Sequence, residues 1–138
     1  MGPFVLDASL TLSWCFADEA SEFSSAALRH LSKSFAIVPA VWPFEVANVL
    51  AIAEKRQRIT PTGVDDFLEV LRRLPIQIER RDATWICQSV LPLSRAFGLS
   101  AYDAAYLELA KREDLPIATL DQNLVKVAGR IGVPSFAV

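Results

Sequence analysis

The sequence predicts an α/β domain in which a doubly wound parallel sheet is covered by helices on both faces. Two patterns predict it. Short runs that are apolar throughout alternate with longer amphipathic segments, and no repeat, linker or low-complexity stretch divides the 138 residues. Apolar residues make up 52% of the chain before glycine is counted, against a usual share of about 45–50% with glycine included. We therefore expect one domain, spanning residues 1–138, with a large core.

The first half of the chain contains two strand–helix steps. Residues 4–6 form a short apolar strand that ends at Asp7, and residues 35–39 form a second strand. A helix is predicted over residues 21–33. Another begins near Pro43, where the first helical turn tolerates proline, and ends in the basic residues 55–58.

The second half continues the alternation. The predicted elements are a helix over 60–73, a strand over 76–78, a helix over 82–98, a helix from Ser100, a strand over 117–120, a helix over 122–130 and a last strand near 133–138. Gly98 is expected to end the helix over 82–98, and Pro92 is expected to kink or split that helix. Ser100 and Asp103 match a capping box, which places Asp103 in the first turn of its helix.

No segment has the composition of a membrane span or a signal peptide. The most hydrophobic window, residues 35–53, contains two prolines, Glu45 and Asn48, so a transmembrane helix is excluded. The first residues contain no basic region before an apolar run. We expect a cytoplasmic protein without a membrane partner.

Cysteine and histidine do not form a recognisable site. Cys15 and Cys87 lie far apart in apolar contexts, and His30 is the only histidine, so neither a zinc site nor a redox motif can be assembled. Both cysteines are expected to fill the core and His30 to lie on the surface of its helix. Any chemistry must then come from carboxylates, hydroxyls, amides or basic groups.

Four acidic residues fall where predicted strands and helices meet. Asp7 follows the first strand, Asp121 follows the fourth, and Glu45 lies just after the second. Asp103 opens a late helix and reaches the same edge if that helix packs beside the others. Ligand sites in open parallel sheets lie beyond the carboxyl ends of the strands, so these acids are candidates for one site.

The four acids allow two explanations. Together at one edge they would repel one another unless a cation lay among them, and oxygen ligands favour Mg²⁺ or Mn²⁺. Capping of free helix N–H groups explains any one of Asp7, Asp103 or Asp121 equally well. For all four, each within an apolar segment, capping is the weaker explanation because uncompensated buried charge is costly.

The segments around these acids are similar to those of a known family. They are Val5-Leu6-Asp7-Ala8-Ser9, Pro43-Phe44-Glu45-Val46-Ala47-Asn48-Val49-Leu50, Ala101-Tyr102-Asp103-Ala104-Ala105-Tyr106-Leu107 and Thr119-Leu120-Asp121-Gln122-Asn123-Leu124. In this order and spacing they resemble the PIN-domain ribonucleases, in particular the VapC-like toxins of type II toxin–antitoxin pairs. The resemblance covers the whole chain and implies a three-layer α/β/α fold with a central, mostly parallel sheet of four to five strands.

The resemblance also implies a site and a reaction. Its metal-binding and catalytic positions are matched by Asp7, Glu45, Asp103 and Asp121. The aspartates would bind Mg²⁺, or Mn²⁺ in its place, and Glu45 would hold or orient the water that hydrolyses an RNA phosphodiester, leaving 5′-phosphate and 3′-hydroxyl ends. Small polar residues around the metal are matched by Ser9, Thr119 and Asn123, although Ser9 and Asn123 are equally well explained as ordinary helix-start residues.

The expected binding partners are inferred from the resemblance and from the high share of apolar residues. The resemblance implies an RNA substrate and a cognate antitoxin whose C-terminal segment covers the acidic groove. The helices over residues 21–33 and 60–74 would be only half covered in one small domain, so we expect a homodimer. The alternative is a non-catalytic PIN fold that binds RNA or protein without cleaving.

The formal net charge of −2 does not indicate nucleic-acid binding by itself. Without the four site acids, 14 basic residues stand against 12 acidic ones, so the remainder is mildly basic. The candidate phosphate contacts are Lys55, Arg56 and Arg58, then Arg72 and Arg73, then Arg80 and Arg81. Basic residues at helix ends also have a dipole explanation. Trp14, Trp42 and Trp85 are more consistent with packing than with base stacking.

Overall fold

The computed structural model describes residues 2–137 and is built around a four-stranded sheet. The strands are β1 (Phe4–Leu6), β2 (Ala36–Val38), β3 (Ile76–Ile78) and β4 (Ile117–Ala118), in the order β3-β2-β1-β4 and all parallel. The helices that flank them in the described part are α1 (Ala8–Ser13), α2 (Glu22–His30), α3 (Trp42–Lys55), α4 (Pro61–Arg73), α5 (Ala83–Phe97), α6 (Ala101–Glu113) and α7 (Gln122–Arg130). This arrangement confirms the predicted α/β class with a parallel central sheet.

The position of β1 decides where the candidate site lies. β1 is fully buried and pairs with β2 on one side, through Val5 and Ile37, and with β4 on the other, through Val5 and Ile117. Because parallel strands end at the same edge of a sheet, the residues that follow β1 and β4 come together there. Asp7 and Thr119 are those residues.

The predicted last strand is reduced to a single bridge. Ser135 pairs in parallel with Ile117, and the Ile117 amide donates to the Pro134 carbonyl at 3.0 Å. Proline has no N–H, so Pro134 cannot add a donor to the ladder, and the prediction of a strand near residues 133–138 is wrong for the described residues. Val138 lies outside the described residues.

One helix, α1, was not predicted. Its sequence, Ala-Ser-Leu-Thr-Leu-Ser, alternates apolar and polar residues with the period of a strand. The helix is nevertheless buried on almost every side, and its polar residues are satisfied inside the core. Thr11 donates to the Asp7 carbonyl and accepts from the Trp42 indole. A helix buried all round has no polar face, so helical periodicity could not indicate it.

Two helices differ in extent or continuity from the prediction. α2 is shorter than residues 21–33 because Ser21 and Ser24 form a reciprocal cap at its start and His30 ends it. α5 runs unbroken through Pro92, so the prediction that proline splits this helix is wrong. Pro92 is exposed, so the backbone hydrogen bond that it removes faces solvent. Gly98 ends α5 in the left-handed conformation, as predicted, with φ at 65°.

The expectations for His30 and Cys87 are also wrong. His30 is 5% exposed: its Nε2 lies 2.8 Å from the Gly2 carbonyl, and its ring packs against Phe4 and Phe136. This end of α2 faces β1, which the local sequence does not indicate. Cys87 is exposed because α5 buries only Val90 fully, whereas Cys15 is half-buried and burial raises the pKa of its thiol.

No helix within residues 2–137 combines the length and the apolar composition that crossing a bilayer requires.

Candidate active site

Asp7 lies at the carboxyl end of the central strand and is only 6% exposed. Its Oδ2 accepts two hydrogen bonds, from the Ser9 hydroxyl at 2.7 Å and from the Thr119 hydroxyl at 2.6 Å. Although Asp7 is the N-cap residue of α1, its side chain does not cap the helix. The capping explanation therefore does not account for this buried carboxylate.

The second oxygen of Asp7 faces outward. Oδ1 accepts no hydrogen bond from the described residues, and among them no fully buried side-chain nitrogen or oxygen lacks a partner. Oδ1 therefore remains open to solvent. One oxygen is fixed by hydroxyls, and the other is available to a ligand.

Ser9 and Thr119 join the loops that follow β1 and β4. Their hydroxyl oxygens lie 3.3 Å apart, Ser9 Oγ accepts from the Leu120 amide at 3.1 Å, and Thr119 Oγ1 accepts from the Asp121 amide at 3.0 Å. The hydroxyls are thus positioned by the backbone on one side and hold Asp7 on the other. Such contacts orient ligating carboxylates in metal sites.

Asn123 is in a different position. Its side chain is exposed and makes no hydrogen bond within the described residues, while its backbone amide donates to Asp121 Oδ1 at 2.9 Å. This geometry is that of an ordinary helix-start residue. Of the three predicted small polar residues, the structure brings two to Asp7.

Glu45 lies in the first turn of α3 and is half-buried. Its Oε1 accepts a hydrogen bond of 2.6 Å from the Tyr106 hydroxyl of α6. Burial raises the pKa of the Glu45 carboxyl, and the hydrogen bond from Tyr106 opposes that rise. The negative charges of Asp7 and Asp103 raise the same pKa further.

Asp103 lies in the first turn of α6, where Ser100 caps the helix by accepting from the Asp103 amide at 3.1 Å. Burial is the main cause that raises the pKa of the Asp103 carboxyl. The charges of Asp121 and Asp7 add to the rise, and a hydrogen bond with Ser100 opposes it. Asp103 is therefore close enough to both other aspartates for them to hinder its ionisation.

Asp121 is exposed, and its carboxylate makes two kinds of interaction. Its Oδ1 caps α7 by accepting from the Asn123 and Leu124 amides, so the capping explanation holds for this oxygen. Its charge also acts on Asp103. Each of the four predicted acids thus interacts electrostatically with at least one other, although they come from four separate elements.

The four acids make no ion pair with the described part of the chain. Within residues 2–137, no lysine, arginine or histidine forms an ion pair with any of them. In the same residues, no three histidine, cysteine, aspartate or glutamate side chains converge closely enough to hold one ion. The carboxylates interact in pairs without meeting at one point. Their chemistry still fits a hard divalent cation, since all donors are oxygens whose mutual repulsion a cation would relieve.

Sequence reasoning missed Tyr106. This side chain is fully buried, and burial followed by the hydrogen bond to Glu45 raises the pKa of its phenol far above the usual value. Tyr106 therefore keeps its proton and acts as a donor. The available signal was its spacing of three residues from Asp103, which places both on one face of α6.

The predicted basic clusters differ in their surroundings. Arg58 pairs with Asp18 and Glu19. Arg72 and Arg73 pair with Glu69. All three arginines thus take part in exposed ion pairs with local acids.

Two clusters also differ in distance from the acids. Lys55 and Arg56 lie at the opposite end of α3 from Glu45, roughly 15 Å along the helix at about 1.5 Å per residue. Arg80 and Arg81 follow β3 and so lie at the same edge of the sheet as the acids. Arg81 pairs with Glu79, whereas Arg80 is exposed and has no ion pair within the described residues.

The tryptophans take packing positions. Trp42 is buried and donates to Thr11, and Trp14 donates to the Ser24 carbonyl. The guanidinium groups of Arg81 and Arg112 lie over the Trp85 ring, at 4.9 and 4.7 Å from its centre. Its ring face is occupied by arginine, which agrees with the prediction of packing over base stacking.

An apolar groove lies beside the acids. It has a volume of about 540 Å³ and is bounded by the starts of α3 and α6 and by α5. Phe44 and Tyr102, which precede Glu45 and Asp103 in sequence, line it and are 77% and 61% exposed. Leu91 of α5 is also exposed there. Apolar side chains this exposed indicate a surface suited to a partner.

Comparison with known proteins agrees with this fold. PAE2754 from Pyrobaculum aerophilum is 18% identical, with a TM-score of 0.68 over 96% of this chain and 98% of that one. FitAcB from Neisseria gonorrhoeae is also 18% identical, with a TM-score of 0.63 over 99% of this chain and 97% of that one. At this identity the likeness shows the fold alone, and a search of curated proteins finds no match. The family model of the PIN domain matches residues 4–130, and the chain therefore belongs to the PIN domain family.

Proposed function

We propose that this chain is a single-domain, divalent-metal-dependent endoribonuclease that acts as the VapC-like toxin of a toxin–antitoxin pair. PIN domains are generally nucleases. The observation that carries the proposal is the grouping of four carboxylates from four elements without an ion pair to any of them in the described residues. A site for hydrolysing phosphodiesters needs such a grouping, whereas stability does not, because the charges repel one another.

Asp7, Asp103, Asp121 and Glu45 are the proposed ligands of Mg²⁺, with Mn²⁺ as a substitute. Asp7 is held by Ser9 and Thr119 with one oxygen open to solvent, so it enters the site already oriented. A bound divalent cation supplies neutralising charge and polarises the phosphate of the substrate. Burial is the main cause of the raised pKa values of Asp103 and Glu45, and the repulsion among the acids, which this charge would remove, adds to the rise.

Glu45 is the proposed residue that orients the attacking water. It is half-buried and accepts from Tyr106 through one oxygen, which leaves the other for the ion or for water. A carboxylate of raised pKa is suited to accepting a proton near neutral pH. The expected products carry 5′-phosphate and 3′-hydroxyl ends.

The RNA and the protein partners are proposed to approach from the same edge of the sheet. Arg80 is the basic residue best placed for phosphate contact. The apolar groove beside the acids, lined by Phe44 and Leu91, is suited to a protein, and we assign it to the cognate antitoxin, which would cover the acids when bound. Leu68, which is exposed on α4 and lines an apolar groove between α3 and α4, supports the expected homodimer. α2, in contrast, packs its apolar face on the core.

The oligomeric proposal has a direct test. Light scattering on the purified chain is expected to give the mass of a dimer, and replacing Leu68 by lysine is expected to give a monomer. A monodisperse wild-type monomer would refute the homodimer. Addition of the protein encoded by a neighbouring small gene is expected to stop RNA cleavage, and Phe44→Asp to reduce that inhibition.

The activity is tested by inducible expression followed by mapping of the ends of cellular RNA fragments. Wild-type chain is expected to produce new 5′-phosphate ends at defined sites within minutes of induction. Asp7→Asn, expressed to the same level, is expected to produce none. Equal fragments from both would refute the proposed site.

A second candidate function is a PIN fold that binds RNA or protein without cleaving it. One observation favours it: no three acidic, histidine or cysteine side chains of residues 2–137 converge on one point. Measurement of turnover distinguishes the two functions. Repeated metal-dependent cleavage that is lost in Glu45→Gln supports the nuclease, and RNA binding without cleavage in either protein supports the binding module.

A further inference from the structure

The hydrogen bond between Tyr106 and Glu45 connects a buried side chain of α6 to one of the four acids. We propose that Tyr106 is a positioning residue, which holds the Glu45 carboxylate at the edge of the metal site through its hydroxyl. This inference rests on the proposed function and adds a residue to it. The distance from Tyr106 Oη to Glu45 Oε1 is 2.6 Å, the usual length of a hydrogen bond from a hydroxyl to a carboxylate.

Tyr106 is suited to this role because it is rigid. Its ring is fully buried, so both of its side-chain torsions are fixed by packing. Glu45, by comparison, has three side-chain torsions and is only half-buried. A fixed donor therefore restrains a flexible acceptor, and the carboxylate takes its position from α6.

The neighbouring charges make such a restraint necessary. Asp7 and Asp103 are both close enough to act on the Glu45 carboxylate, and both repel it. Within the described residues, Tyr106 is the sole hydrogen-bond partner of the Glu45 side chain. Without that bond, repulsion would favour conformations in which Glu45 points away from the two aspartates.

The same helix supplies two parts of the site. Asp103 and Tyr106 are three residues apart on α6, so they lie on one face of the helix. α6 thus contributes one acid directly and fixes another that belongs to α3. Any shift of α6 relative to α3 would move both carboxylates together.

A purely structural role for Tyr106 makes a different prediction. A buried tyrosine needs a partner for its hydroxyl, and a core role would be satisfied by any acceptor. Phenylalanine fills almost the same volume. If only packing matters, Tyr106→Phe changes stability and leaves metal binding unchanged.

The test is Mn²⁺ binding to the purified full chain, measured by calorimetry, which does not depend on cleavage. Tyr106→Phe is expected to bind Mn²⁺ about 10-fold more weakly or worse, as is usual when the support of a metal ligand is removed. Ser24→Ala, which removes the hydroxyl of another buried side chain in the cap of α2, is the control and is expected to bind as wild type. In RNA cleavage, Tyr106→Phe is expected to lower kcat and leave KM unchanged.

A double-variant comparison shows whether the effect passes through Glu45. In the Glu45→Gln background, Tyr106→Phe is expected to weaken Mn²⁺ binding no further. An equal loss in both backgrounds would overturn the inference, as would wild-type affinity in Tyr106→Phe. If wild type itself fails to bind Mn²⁺, the proposed function fails first, which is a distinct result.

A second measurement needs no variant at position 106. The chain contains two tyrosines, so labelling the ring carbon that bears the hydroxyl gives two NMR signals, assigned with Tyr102→Phe. Addition of Mg²⁺ to wild type is expected to shift the Tyr106 signal and to leave Tyr102 in place. A Tyr106 signal unmoved at Mg²⁺ saturation would overturn the inference even if Tyr106→Phe does not fold.

Discussion

The Thr119 hydroxyl donates a 2.6 Å hydrogen bond to Oδ2 of Asp7, although the two residues are 112 positions apart in sequence and both are buried. The contact exists because β1 and β4 are adjacent and parallel, so the residues that follow them meet. Together with the hydrogen bond from Ser9, it fixes a carboxylate that would otherwise be buried without a partner. A buried charge placed in this way is a feature of a binding site more than of a stable core.

Replacing Thr119 by valine removes this hydrogen bond with almost no change of shape. Unfolding free energy measured in EDTA is expected to fall by about 1–2 kcal/mol, since Asp7 Oδ2 keeps only Ser9. Mg²⁺ affinity is expected to fall about 10-fold or more. Thr62→Val, the same change at an exposed position, should alter neither. Unchanged Mg²⁺ affinity in Thr119→Val would show that the hydroxyl does not orient Asp7 for a ligand.

The raised pKa of Asp103 predicts the pH dependence of stability without metal. The folded state holds this proton more tightly than the unfolded state, so the contribution of Asp103 to stability is lost as pH rises through the raised pKa. In EDTA, Asp103→Asn is therefore expected to melt at a higher temperature than wild type at neutral pH, and the difference should close as pH falls towards the ordinary aspartate value. A difference that grows on acidification would contradict the cited cause.

Replacing glycine by alanine is expected to have opposite effects on the free energy of unfolding at two positions. Gly98 has φ at 65°, so Gly98→Ala is expected to destabilise the chain by about 1 kcal/mol even though no atom lies near the added methyl group. Gly129 lies within α7 with open space around it, so Gly129→Ala is expected to stabilise it by up to about 1 kcal/mol. Urea denaturation of both variants checks the signs. Equal effects would mean that backbone conformation does not distinguish the two positions.

Arg80 and Arg56 form a matched pair for RNA binding. Both are exposed, but Arg80 lies at the edge of the sheet that carries the acids and Arg56 at the far end of α3. Arg80→Gln is expected to raise the KM for RNA several-fold and to lower the salt dependence of binding by about one phosphate contact. Arg56→Gln should change neither. Equal effects of the two variants would indicate a diffuse electrostatic attraction without a specific phosphate contact.

Much of the fold was predictable from short apolar runs. Strands such as Phe4–Leu6 are buried on both faces, so every residue is apolar and the run is visible in the sequence. The same reasoning failed for α1, which is buried all round and shows a strand-like alternation. It also failed near Ser135, where one bridge forms beside a proline. A local sequence pattern shows how often buried positions recur along the chain. It does not show which elements pack against those positions.

The candidate site likewise contains some residues whose location the sequence indicates and others whose location it does not. The location of Asp7 and Asp121 at one edge of the sheet was predictable because each follows an apolar run that contains a strand, and strand ends in a parallel sheet meet. Tyr106 was not, because its contact with Glu45 depends on how α6 packs relative to α3. Cys87 and His30 were misplaced for the same reason: their exposure depends on which face of a helix meets the sheet, and apolar neighbours in sequence do not decide that.

The central claim is that Asp7 and its neighbouring acids bind a divalent cation that drives RNA cleavage. The most direct measurement is single-turnover cleavage of RNA by purified wild type and Asp7→Asn across a Mg²⁺ titration, with EDTA as the zero point. We expect wild-type cleavage to rise from none in EDTA to saturation, and Asp7→Asn to stay at least about 100-fold slower at every concentration, because a ligand of the ion is lost. Cleavage by Asp7→Asn at the wild-type rate, or cleavage that persists in EDTA, would contradict the claim.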